Sequence, residues 1–112
     1  MLFSLEEILE RVITVNHAWK LSKDEFGDKY GTTQSLRWSK SSLQATLLRD
    51  FPSETHLKVA SDSEEHGELL YSVRLNKPIL VNGIMRQDAE HLPARIANEI
   101  FSQQEIESFL SR

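Results

Sequence analysis

The sequence predicts an α+β domain: helices first, an antiparallel meander over about residues 56–86, then two further helices, stacked as a single pair of layers. Three observations carry this. Apolar-Ser-x-x-Glu-apolar patterns mark helix starts, the hydrophobic period changes from helical to two after Pro52, and Asn82-Gly83 sits between two apolar triplets. Helices segregated from an antiparallel sheet define that class, and 112 residues with few Gly and Pro suit one domain over 1–112.

The helix-start pattern occurs at Ser4, Ser22 and Ser102. In each, the serine would accept from the amide three residues on, the glutamate would reach back, and the flanking apolar pair would pack together. The first helix is expected over Leu5 to Asn16, with Leu5, Ile8, Leu9, Val12 and Ile13 on one face. A short second helix is expected over Lys23 to Tyr30, with Phe26 and Tyr30 inward and Gly31 as its left-handed cap. Gln34 to Ser39 reads as a strand or loop. A third helix starts near Ser41, carries Leu43, Leu47, Leu48 and Phe51, and stops at Pro52.

Leu57 and Val59 then alternate with polar or small neighbours, as do Leu69, Tyr71, Val73 and Leu75. Asp62 to Gly67 is a polar turn between them. Pro78 to Val81 and Ile84 to Arg86 flank Asn82-Gly83, the dipeptide that best tolerates positive φ in a two-residue hairpin. Pro78 belongs at a strand start or a sheet edge. Leu70, out of phase, points to the other sheet face. Pro93 to Phe101 and the stretch after Ser102 return to helical spacing, and Trp19 is expected to seal the core edge.

Composition excludes several function classes. Without cysteine there is no disulfide framework, thiolate metal site or cysteine nucleophile, which suits a reducing cytoplasm. The acidic start lacks the basic and apolar regions of a signal peptide, and no apolar run is long enough to span a membrane. Net charge is −4, and residues 53–112 carry all of the deficit. This balance argues against a dedicated nucleic-acid binder.

Three segments hold candidate chemistry. Ser35 to Arg49 contains Arg37, Lys40, Gln44 and Arg49 with Trp38 and no acid, the residue types that contact phosphates and stack on bases. With Gly27 and Gly31 before it and a hairpin after it, residues 4–75 resemble winged helix-turn-helix proteins. That resemblance implies a nucleic-acid interface at Arg37, Lys40, Gln44 and Arg49. The chain departs from the motif where Arg37 replaces a buried aliphatic residue, and the would-be wing is acidic. The second segment is that wing: Asp62, Glu64, Glu65 and Glu68, with His66 among them, but without the pattern of a calcium loop. The third is Asp88, Glu90 and His91, expected to cap the helix after them and alternatively able to serve acid–base chemistry in a small hydrolase.

The leading expectation is a soluble, cytoplasmic, non-enzymatic interaction or regulatory domain without cofactor, metal or membrane. Its partner would be another protein or a second copy of the chain, met by the sheet and by Asp62, Glu64, Glu65 and Glu68. Nucleic-acid binding is the alternative.

Overall fold

A computed structural model describes residues 3–112. Helix α1, Leu5–Phe26, begins with the expected box: the Ser4 hydroxyl accepts from the Glu7 amide at 3.2 Å, and the Glu7 carboxylate accepts from the Ser4 amide at 3.1 Å. It does not stop at Asn16. No Gly or Pro interrupts the chain before Gly27, whose φ of 89° ends the helix. Ser22 is therefore interior and caps nothing. Its hydroxyl lies 2.6 Å from that of Thr33 on the next helix.

Helix α2 spans Gly31–Asp50. It absorbs residues 34–39, expected as strand or loop, and Gly31 opens it instead of closing a short helix. Phe26 and Tyr30 do not face inward. They are 59% and 46% exposed at the α1–α2 turn and stack on each other with centroids 4.6 Å apart. Two long helices thus precede the sheet where the winged-helix order requires three, so the resemblance over residues 4–75 is not realised in the fold.

Strands β1 (Thr55–Val59), β2 (Leu70–Val81) and β3 (Ile84–Pro93) form an antiparallel meander in that order. Leu57 pairs with Val73 and Tyr71 with Leu92, which puts their side chains into the core. Val59, at the strand end, is exposed, and so is Leu69 just before β2. Asn82 and Gly83 make the two-residue turn with φ of 50° and 80°. The two strands expected around Asn76 are one, because Pro78 falls in an irregular stretch between Arg74 and Ile79, beyond the Leu75 end of the β1 ladder. There its missing donor leaves no ladder bond broken.

β3 runs past Arg86 to Pro93, so Asp88 and Glu90 are strand residues and not helix caps. Between Ser72↔His91 and Arg74↔Asp88 it holds one extra residue, a β-bulge with Glu90 at φ 70°. Helix α3 (Ala94–Ile100) and helix α4 (Gln103–Leu110) follow, the latter started by the Ser102–Glu105 box. Ile8, Leu9 and Val12 of α1, Leu47 and Leu48 of α2, the inward sheet residues, Ile96, Ile106 and Phe109 make one core. No helix among the described residues is long and apolar enough to cross a membrane.

Candidate functional site

Helical spacing gathers the site on α1 and α2. Asn16, Trp19, Lys20 and Lys23 recur along one face of α1, and Thr33, Arg37, Lys40 and Gln44 along one face of α2. The faces meet around the Trp19 indole. Lys40 Nζ lies 4.7 Å from its ring centroid, the Arg37 guanidinium carbon 5.0 Å and Lys23 Nζ 5.1 Å. Each is within cation–π range. Trp19, expected to seal the core edge, is not among the side chains packed on the core; it is half-buried in the cleft as the centre of a cationic cluster, with its Nε1 buried and unpartnered.

Apart from Gln44, these groups line one wall of a cleft of about 1000 Å³, together with Lys29 and the carboxylates Asp24 and Asp28. The opposite wall is the bulge of β3 with Glu90 and His91, the first turns of α3 with Arg95 and Glu99, and the 62–69 loop with His66 and Glu68. Gln44, fully buried, fixes the bulge: its amide nitrogen donates to the carbonyls of Ala89, Glu90 and His91 at 2.8, 3.2 and 3.1 Å. Glu90 in its left-handed backbone then accepts from Asn16 Nδ2 at 2.8 Å and from Arg86 Nη2 at 3.1 Å. A positive φ at a residue other than glycine persists only when its surroundings hold it, and here they do.

Across the cleft, Asp62 bonds His91 Nε2 at 3.1 Å and His66 Nε2 at 3.2 Å. Burial pushes the Asp62 carboxyl up, but neighbouring His91 and the hydrogen bonds outweigh it, leaving the group below its ordinary value. Glu68 accepts from Arg95 at 3.0 Å. The acidic loop is therefore partly engaged: Glu68 pairs with Arg95 and Asp62 hydrogen-bonds two imidazoles, while Glu64 and Glu65 stand outside such contacts among the described residues. No group of three or more His, Asp or Glu side chains there is disposed to hold a metal ion.

The cationic wall is the opposite case. Lys40 is 7% exposed, and no carboxylate of the described residues pairs with it, Arg37, Lys20 or Lys23. Burial lowers the Lys40 ammonium to about 8; Arg37, Lys20 and Lys23 lower it too, against Glu90. Burial also lowers Arg37, with Arg95 adding to the effect, and Arg37 Nε is buried without a partner. Glu90 acts on Lys40, and Glu68 and Asp28 act on Arg37, only through space, so the desolvation of these two cations is offset in part and not by a contact ion pair.

Of the four residues expected at a nucleic-acid interface, the structure brings Arg37 and Lys40 to this cleft and removes the others. Gln44 is spent on the bulge. Arg49 points away, bound to both Glu105 oxygens at 2.8 and 3.1 Å, beside a smaller recess of about 390 Å³ near Ser42, Thr46 and Ile100. No helix presents these four to a groove. Sequence reasoning missed Asn16 and the role of Trp19; their i, i+3 spacing with Lys20 and Lys23 was the available signal. Comparison of the chain with protein-family models, curated proteins and solved structures finds no match.

Proposed function

We propose that this domain is a binding module that takes an anionic ligand in the cleft between the α1–α2 hairpin and the β3–α3 wall. The observation that carries the reading is the Lys40 side chain, 7% exposed and outside any ion pair among the described residues, beside Arg37, whose Nε is buried without a hydrogen-bond partner, with Lys20 and Lys23 lining the same cleft. The indole of Trp19 offsets part of their cost, and a ligand oxygen would offset the rest. Binding is favoured over turnover because the acid–base groups facing the cations are already engaged, Glu90 by Asn16 and Arg86, and His91 by Asp62.

The test is thermal unfolding in phosphate and sulfate against chloride at matched ionic strength. Ligands that bind only the folded state raise its stability by mass action, about 2.7 kcal/mol at a hundred times Kd. Phosphate should raise the melting temperature of the wild type and leave Lys40→Met unmoved. Equal melting in phosphate and chloride would overturn the reading.

A second reading, association with a protein, rests on a different face. Leu80 and Met85 oppose each other across the β2–β3 ribbon and, with Ile84, are 57–62% exposed at its tip. Adjacent exposed apolar side chains suit an interface, and a second copy is the simplest partner. Light scattering over a concentration series, with Met85→Glu as the disrupting variant, tests it. A monomer at every concentration would remove self-association.

A further inference from the structure

Resting on the anion-binding reading, we propose that the ligand is a nucleoside monophosphate, its phosphate held by Lys40 and Arg37 and its base stacked on Trp38.

Size comes first. A cleft of about 1000 Å³ is at the top of the range for small-molecule sites and far larger than one phosphate group. A ligand that used only the cations would leave most of it to water. Trp38 is the second observation. It is 44% exposed and lines the same cleft, about 100° around α2 from Arg37 and about 160° from Lys40, so the indole and the two cations enter the cleft from different sides of the helix, and a ligand that meets both must span that separation. Trp19 is occupied by three cations, whereas among the described residues no ring or cation packs on Trp38. An exposed indole at one side of a cleft whose other side carries cations suits a ligand with a flat ring at one end and a phosphate at the other. Gln34, four residues before Trp38, also lines the cleft and offers an amide to a base edge. Glu99, on the far wall and outside any ion pair among the described residues, is an acceptor for sugar hydroxyls.

Stacking accepts any base, so adenosine monophosphate is a fair probe. The 112-residue chain is titrated with adenosine monophosphate, ribose 5-phosphate and inorganic phosphate by calorimetry and tryptophan fluorescence. Adenosine monophosphate should bind about tenfold tighter than ribose 5-phosphate, the size of effect expected for one base on an aromatic side chain. Trp38→Ala, an exposed substitution, should abolish that difference and leave the phosphate affinity alone, while Trp38→Phe keeps most of it. Lys40→Met should weaken all three ligands. If ribose 5-phosphate and adenosine monophosphate bind equally, the nucleotide assignment falls and the anion site stands. If no phosphate compound binds, both fall.

Discussion

Lys40 shows what a single residue can reveal once its surroundings are known. In the sequence it is one of thirteen basic residues, marked out only as one of four candidate phosphate contacts in an acid-free segment, and nothing there shows that it is buried. Its burial depends on Trp19, some twenty positions away, and on a β-bulge that no local pattern announces, so its environment was not readable. The consequence is a pH dependence with a definite sign. The Lys40 ammonium falls to about 8 in the folded chain from 10.5. Between those values the unfolded chain holds a proton that the folded chain has released, so stability rises with pH across that window. Below pH 8 the full penalty remains, of order 3 kcal/mol at 1.36 kcal/mol per pH unit. Lys40→Met keeps the stem and removes the charge. It should stabilise the protein by about 1–3 kcal/mol at pH 7 and by much less near pH 10.5. Chemical denaturation at both pH values checks this. An equal gain at both would mean that the desolvated ammonium is not the cause.

Elements were legible where a local device controls them. The boxes at Ser4 and Ser102 do start helices, the two-residue turn at Asn82-Gly83 is present, and the helix–sheet–helix order stands. The same Ser-x-x-Glu pattern at Ser22 misled, because a capping box requires the preceding residues to be non-helical and nothing stops α1 before Gly27. Likewise two glycines four apart suggested one turn residue at Gly31, whereas the unusual backbone belongs to Gly27. Two pairs of variants separate these roles. Gly27→Ala forces a side chain into a φ of 89° and should destabilise by more than about 1 kcal/mol. Gly31→Ala, in helical backbone with no atom within 4 Å of the new Cβ, should stabilise by about 0.4–1 kcal/mol. Ser4→Ala should lose about 0.5–2 kcal/mol as a cap. Ser22→Ala should lose about 1–3 kcal/mol for a different reason, since it strands the buried Thr33 hydroxyl. Thr33→Val together with Ser22→Ala should recover part of that loss, while no partner substitution rescues Ser4→Ala. Urea midpoints for the single and double variants distinguish the two mechanisms.

At the scale of the whole molecule, the helices that open the chain must be joined to those that close it. The core does most of this through Phe101, Ile106 and Phe109. Outside the core Arg112 contributes by donating to the Leu48 and Thr55 carbonyls, and so does Arg49, the residue whose charge and position in a basic segment suggested phosphate contact. Its guanidinium bonds both Glu105 oxygens, donates to the Ile100 carbonyl at 2.8 Å and lies 4.9 Å over the Phe101 ring. It thereby ties α2 to both α3 and α4. The hydrogen bond from Arg49, followed by that from the Ser102 amide, lowers the Glu105 carboxyl to about 2 from 4.5. A depressed carboxylate contributes stability that is fully present above its unfolded value and is lost as pH falls through its folded one. Here that window runs from about 4.5 down to about 2. The pair is exposed, so salt and water screen it. Arg49→Met keeps the apolar stem on Phe101 and removes the fork. It should lower the melting temperature modestly at pH 7. It should also flatten the stability–pH curve between pH 4.5 and 2, because Glu105 then titrates nearer its ordinary value in both states. Ser102 still donates to Glu105, so part of the Glu105 contribution should remain in Arg49→Met and be lost in Arg49→Met with Glu105→Gln, leaving the slope set by Asp62 and the other carboxylates. Melting curves of the wild type and both variants across that range decide the matter. Parallel curves for all three would show that the junction is held by its apolar contacts alone.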